Sequence, residues 1–151
     1  MTKKIDTIGI VVDVFNTVMD VQDLYLKKGP FRNLTMSETH VLDAVDKESS
    51  PSMSAVANRL NITLGTLTTA VKKIIDKGYL FKEQSTQDQR IYYLRLTPTG
   101  KEALKIHKQF HKTLDQMCKN YIPDEQLDWV YETLKKINAD MIVYRDELLK
   151  K

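Results

Sequence analysis

One cysteine, Cys118, stands in 151 residues, so no internal disulfide can staple this chain. Cys118 reads as a small, buried apolar residue. A redox-sensing thiol needs exposure and a lowered pKa, and only Lys119 beside it points that way. No apolar run reaches the ~18 residues that a membrane span requires. The opening Met1-Thr2-Lys3-Lys4 leads into a region broken by Asp6 and Asp13 and lacks the form of a signal peptide; a cytoplasmic location is the expectation. The motifs G-x-S-x-G and H-E-x-x-H are missing, and so is a phosphate-binding glycine loop. The expectation is therefore a protein that is not an enzyme. An excess of one charge is lacking too. Lys and Arg number 23 against 20 Asp and Glu, a formal net charge of +3. That sum permits nucleic-acid binding and leaves the distribution of charge to decide it. There is no internal repeat and no low-complexity segment. The hydrophobic content of 42% and charged content of 28% suit an ordinary globular protein.

What the chain does have is helical periodicity. Residues 5 to 26 predict one long helix. Ile5, Ile8, Val12, Phe15 and Met19 form one stripe, and Val11, Val14, Val18, Val21 and Tyr25 run beside it. So broad an apolar surface predicts a helix covered over much of its circumference. Lys27-Lys28-Gly29-Pro30 ends it. Thr35-Met36-Ser37-Glu38 is a capping box opening a second helix, which runs to about Lys47. Ser49-Ser50-Pro51 is a loop, and Ser52 caps a short helix carrying Met53, Val56, Ala57 and Leu60. Asn61 makes the turn. A further helix runs from about Thr63 to Lys77, with Gly78 as its stop. Tyr79 to Gln84 and Ile91 to Leu96 predict two strands. Thr97-Pro98 then restarts helix. Two last helices divide near Ile122-Pro123-Asp124. The final one has Leu127, Val130, Leu134, Ile137, Met141, Tyr144 and Leu148 in a three-four alternation, a seam that packs on another helix.

Short helix, turn, second helix, hairpin: this order describes a winged helix-turn-helix, which places its second helix in the DNA major groove. The fold class is mainly α with a small β-hairpin wing. The winged helix-turn-helix spans 34–97, and helical dimerisation parts at 1–33 and 98–151 flank it within a single domain, 1–151. On a helical wheel, Leu64, Leu67, Val71, Ile74 and Ile75 form the core face of the reading helix. Gly65, Thr66, Thr69, Lys72 and Lys73 lie opposite, with Thr63 at the start. Small residues let the backbone approach the duplex. Threonine hydroxyls suit bases or phosphates, threonine methyls suit thymine methyls, and lysines suit phosphates. The helix start favours a phosphate as well. At the hairpin tip, Arg90 can reach a phosphate or the narrow minor groove. Asp88 is placed to orient that guanidinium through a charge-assisted bond. Lys82 adds a phosphate contact from the first strand. The plain alternative, a solvated polar face with a surface ion pair, does not explain the order of the elements.

Leu34-Thr35 opening a helix, the wing Asp88-x-Arg90 and the closing Leu94-x-Leu96-Thr97 resemble the MarR family of dimeric bacterial transcription regulators. Ile62-Thr63-Leu64-Gly65-Thr66-Leu67-Thr68-Thr69, Lys77-Gly78-Tyr79 and His107-Lys108-Gln109-Phe110-His111-Lys112 are similar to its FabT-type branch. That resemblance implies a homodimeric repressor of fatty-acid synthesis genes. It implies operator DNA and an acyl-loaded acyl carrier protein as partners, the long-chain acyl form acting as corepressor, with no required cofactor.

Two sensor sites follow. Phe15, Val18, Met19, His107 and Phe110 are the candidate acyl pocket, and Lys101, Lys105, Lys108 and Lys112 form one basic stripe that can dock an acidic carrier protein. The alternative is a zinc-responsive repressor. His107 and His111 share a helical face, and His40 can approach them. Zinc-sensing family members are similar in placing three histidines and a glutamate at equivalent points. Here Gln22, a poor zinc ligand, stands where the glutamate is expected.

Overall fold

The computed structural model describes residues 6–150. Met1-Thr2-Lys3-Lys4, Ile5 of the first stripe, and Lys151 lie outside the described residues. The elements are α1 (Thr7–Lys28), α2 (Met36–Lys47), α3 (Met53–Leu60), α4 (Leu64–Asp76), β1 (Leu80–Gln84), β2 (Tyr92–Leu96), α5 (Pro98–Lys119) and α6 (Asp124–Leu148). The chain is mainly α with one small hairpin, the class its sequence predicts. It forms two compact units, one up to Phe110 and one from His111. The division falls inside α5. So α1 and the first half of α5 fall in the same unit as the winged helix.

Local chemistry sets the boundaries. The capping box at α2 is complete: Thr35 N–H donates to Glu38 Oε2 at 2.8 Å, and Glu38 N–H to Thr35 Oγ1 at 3.3 Å. Ser52 and Thr63 cap α3 and α4 in the same one-sided way. Asn61 takes the left-handed conformation, φ 54°, and turns the chain between those two helices. Gly78, φ 82°, ends α4. Its N–H bonds to Ile75 O and the Tyr79 N–H to Ile74 O, the paired bonds of a Schellman motif. Thr97 Oγ1 accepts from Gly100 N–H at 3.0 Å and donates to Gly78 O at 2.7 Å, so one hydroxyl caps α5 and ties it to the end of α4.

The core lies inside the first unit. Leu42 of α2, Val56 of α3, Leu67, Val71 and Ile74 of α4, Leu80 of β1 and Leu94 of β2 are all but sealed from solvent. Each such burial contributes about 1.5–3 kcal/mol. Every element of the winged helix thus supplies part of what fixes α4. The strands pair antiparallel, with Leu80 opposite Leu96 and Gln84 opposite Tyr92. The free edge of β2 is met by the chain before α3, through the Ser52–Tyr93 bridge and the bond from Leu94 N–H to Pro51 O at 2.8 Å.

Helix α1, which the sequence assigns to a dimerisation part, keeps its stripes open in the single chain: Gln22 is its one buried residue, and Ile8, Val12 and Phe15 are exposed. Two expectations fail here. Leu64 does not join the core; it is 51% exposed, one turn beyond Leu67, where the apolar stripe runs past the core cluster. Cys118 is exposed, not buried, because α5 beyond Phe110 lacks fully buried positions.

One ion pair is set deeper than the others. Lys77 Nζ lies 2.8 and 2.7 Å from the two Glu38 carboxylate oxygens and donates to Asn33 O at 2.7 Å. Burial pushes the Glu38 carboxyl up, but the bonds from Lys77 and Thr35 outweigh it and hold the group below its ordinary value of 4.5. A carboxyl lowered on folding stabilises the fold above its unfolded pKa. That contribution is lost as pH falls below about 4.5 through the lowered folded value. Glu38→Gln should therefore cost about 1–3 kcal/mol at neutral pH. It should also remove part of the acid destabilisation, as read by urea unfolding at a series of pH values. An unchanged neutral-pH stability and acid limb would show that the pair carries no net stabilisation.

Candidate nucleic-acid interface

The reading helix α4 presents its polar face as a row of small side chains. Thr63, Leu64, Gly65, Thr66, Thr68, Thr69, Lys72 and Lys73 are all exposed. The hydroxyls are engaged locally. Thr63 Oγ1 accepts the Thr66 N–H at 3.2 Å and pairs with Thr66 Oγ1 at 2.8 Å. Thr68 Oγ1 donates to Leu64 O at 2.7 Å and Thr69 Oγ1 to Gly65 O at 3.2 Å. With their protons held by the backbone one turn back, Thr68 and Thr69 meet a partner as acceptors or through their methyls. The exposed Leu64 extends that apolar content at the helix start. A helical wheel places it in the core; its position directly after the cap residue is the signal that it lies beyond.

The wing is shaped by side chains bonding to its own backbone. Ser85 Oγ accepts from Gln87 and Asp88 N–H groups at 3.2 and 3.3 Å. Gln84 Nε2 donates to Gln89 O at 2.7 Å. Asp88 Oδ1 accepts the backbone N–H of Arg90 at 2.9 Å. In place of the expected bond to the Arg90 guanidinium, Asp88 makes this turn-forming bond to the Arg90 backbone. Arg90 and Lys82 are exposed. With Lys72 and Lys73 they supply positive charge on the elements that a winged helix turns toward a duplex.

Behind α4, between α1 and α5, is a cavity of about 20 Å3. Gln22, Tyr25 and Leu26 of α1, Phe31 and Met36 after it, and Ala103, Ile106, His107 and Phe110 of α5 are among its lining residues. The Tyr25 and Phe110 rings stack at 5.1 Å between centroids. Of the five sequence-derived pocket residues, His107 and Phe110 line it. Phe15, Val18 and Met19 are outside its wall, and Phe15 is exposed. The cavity lies one to two turns further along α1 than the sequence predicts.

The histidines divide. The His40 and His107 rings lie 5.7 Å apart, edge to face. His111 is exposed and belongs to the second unit. Among the described residues, no three His, Cys, Asp or Glu side chains are grouped to hold a metal ion. In the basic stripe, Lys101 and Lys105 are exposed, and Lys108 Nζ pairs with Asp46 at 2.6 Å. Lys112, exposed, falls in the second unit.

One ring contact joins the cavity wall to the segment that follows the reading helix. The Phe31 ring, part of the cavity lining, meets the buried Tyr79 ring edge-on at 6.0 Å. Tyr79 follows directly on the end of α4, and its hydroxyl donates to Asn33 Oδ1 at 2.6 Å. A Cβ on Gly100 would lie 2.1 Å from Tyr79 O, so α5 packs against this point as closely as a glycine allows.

For duplex DNA the geometry sets distinct outcomes. Arg90→Ala should weaken binding and reduce the salt slope by roughly 0.9 for each phosphate that is no longer neutralised. Thr69→Val, which keeps a methyl, should bind nearly as well as the parent. Thr69→Ser, which keeps the hydroxyl, should lose about fourfold, the equivalent of ~0.8 kcal/mol for one buried methyl-sized group. Fluorescence anisotropy at several salt concentrations separates these. The reverse order of Val and Ser would assign the interaction to the hydroxyl.

Comparison with known proteins agrees with this geometry. Residues 34–92 match the MarR family. The crystal structure of Streptococcus pneumoniae FabT in complex with DNA superposes with a TM-score of 0.83 and 26% identity, covering 90% of this chain and 95% of that one. The HTH-type transcriptional regulator YhjH of Bacillus subtilis (strain 168) is 30% identical over 97 residues, 64% of this chain and 55% of its own length. The transcriptional regulator AdcR of Streptococcus pneumoniae is 28% identical over 97 residues, 62% of this chain and 66% of its own. The chain thus spans between half and two thirds of the length of these two relatives. Its relatives are named as transcriptional regulators and not as enzymes. The reading helix and the wing tip fall within the residues that the MarR family model matches, so this chain carries a MarR family domain over residues 34–92.

Proposed function

We propose that this protein is a homodimeric repressor of fatty-acid biosynthesis genes, with a long-chain acyl group on acyl carrier protein as its corepressor. The observation that carries the reading is the likeness, over nine tenths of the chain, to FabT bound to DNA. The aromatic-walled cavity set against the base of the reading helix supports it. A cytoplasmic location accompanies this role, and no described helix is long and apolar enough to cross a membrane.

Dimerisation rests on unmet apolar surface in each unit. On α1, Ile8, Val12 and Phe15 are exposed; on α6, Leu134, Ile137, Met141 and Tyr144 are. Faces of this kind are uncommon on monomers, and a second copy of the chain covers them by symmetry. Two reading heads then engage two half-sites about one helical turn apart. The exposed Lys101 and Lys105, with Lys108 beside Asp46, give an acidic carrier a positive approach to α5.

A cavity of about 20 Å3 takes one water-sized group. An acyl chain therefore enters by displacing the rings of Tyr25, Phe31 and Phe110. Burial of each methylene, at about 0.8 kcal/mol, opposes the cost of that opening. Because Phe31 touches Tyr79, the opened and closed states hold α4 differently. The corepressor then strengthens DNA binding by its preference for one of them.

The test is operator affinity, on a fragment from a fatty-acid biosynthesis promoter, with long-chain acyl carrier protein and with the unloaded carrier. The loaded form should tighten binding about tenfold, a coupling of about 1.4 kcal/mol. No effect of the loaded form, with a response to roughly micromolar zinc that His107→Ala removes, would replace this reading by a zinc sensor using His40, His107 and His111. Dimerisation is tested separately. Leu134→Glu and Met141→Glu alter side chains that are exposed in the single chain. They should leave helicity intact, shift the sedimentation coefficient to that of a monomer and abolish tight operator binding.

A further inference from the structure

The cavity wall is mostly apolar, its polar side chains being Gln22, Tyr25 and His107. Gln22 is 5% exposed, and its Nε2 has no hydrogen-bond partner among the described residues. An unmet amide in an apolar wall is costly, and a methionine of similar length fills the same space without that cost. Gln22 lines the cavity, which has room for one water-sized group. The site is thus built to receive a single acceptor atom among apolar neighbours.

We infer that Gln22 is the polar anchor of the effector site: its side-chain amide donates to a carbonyl oxygen carried by an otherwise apolar ligand. This rests on the acyl reading and adds to it the group that is recognised. A thioester offers that oxygen at the head of its chain. Anchoring it at Gln22 fixes the depth to which the chain extends, so chain length is measured from this residue. A plain hydrocarbon of the same length fills the opened cavity and leaves the amide unmet, which is how a buried donor discriminates against an analogue lacking the acceptor.

The experiment uses a matched pair of probes: the long-chain acyl thioester of pantetheine and the S-alkyl thioether of equal length, which lacks only the carbonyl. Each is titrated calorimetrically into the full-length protein and into Gln22→Met. The parent should bind the thioester about tenfold more tightly than the thioether. Gln22→Met should bind both alike. Free of ligand, it should unfold at a temperature no lower than the parent, since the unmet amide is gone. Equal binding of the two probes by the parent overturns the anchor while leaving the acyl reading standing, and that comparison needs no variant to fold. Retained discrimination in Gln22→Met also overturns it. Binding of neither probe by the parent overturns both the acyl reading and the anchor.

Discussion

The Lys77 ammonium donates to three oxygens at once: the Asn33 carbonyl and both oxygens of the Glu38 carboxylate. The aim of the reading helix depends on this node. Glu38 is already committed to the cap of α2, and Tyr79 adds its hydroxyl to the Asn33 side chain. The C-terminal end of α4 is thereby tied to the start of α2. Helix α4 has 13 residues, a rod of roughly 20 Å, so fixing one end sets where the threonines and glycine at the other end point. The net energy of such a half-buried pair is modest, since desolvation offsets much of the attraction. What it supplies is a unique position. The apolar core allows sliding between leucines and valines, whereas a three-acceptor ammonium has one satisfied arrangement.

Most of this framework was legible because it is local. The capping box at Thr35, the cap at Ser52, the turn at Asn61 and the stop at Gly78 each depend on residues within a few positions. All occur as their spacing predicts. The strand limits, Leu80–Gln84 and Tyr92–Leu96, fall inside the predicted runs for the same reason. The misreadings share a different cause. A helical wheel reports angle and not height, so Leu64 looks like core although its turn extends beyond it. The depth of Cys118 depends on what packs against the distal half of α5, which no local pattern encodes. For Asp88 the charge pattern favours the more distant of two partners, although a backbone N–H two residues away costs an aspartate less entropy to reach.

The cavity between α1 and α5 was least legible. Its wall joins three segments, the end of α1, the loop containing Phe31, and the first half of α5. Their meeting point depends on Gly100, which lets α5 approach the Tyr79 carbonyl. Any larger residue at that position shifts α5 outward and changes which turn of α1 faces it. Phe15, Val18 and Met19 have the right chemistry for a pocket, but they lie on turns that this approach does not reach. Gln22, which by sequence is only a defective metal ligand, sits in the wall with an unmet amide.

On the proposed acyl reading, the same few side chains serve both stability and response. Phe31 lines the cavity and touches Tyr79; Tyr79 bonds Asn33; the Asn33 carbonyl accepts from Lys77 at the end of α4. A ligand that moves the Phe31 ring therefore acts on a network with discrete hydrogen-bonded arrangements, not on a continuously deformable packing surface. Packed aromatic rings and a bidentate ammonium-carboxylate contact either hold or switch, and intermediate positions leave buried polar atoms unmet. On that reading, a small displacement at the cavity becomes a large one at the reading helix. It also limits the size of the response. The ligand can shift α4 only by the difference in its affinity for the two arrangements, and the Lys77 node sets the cost of leaving the first.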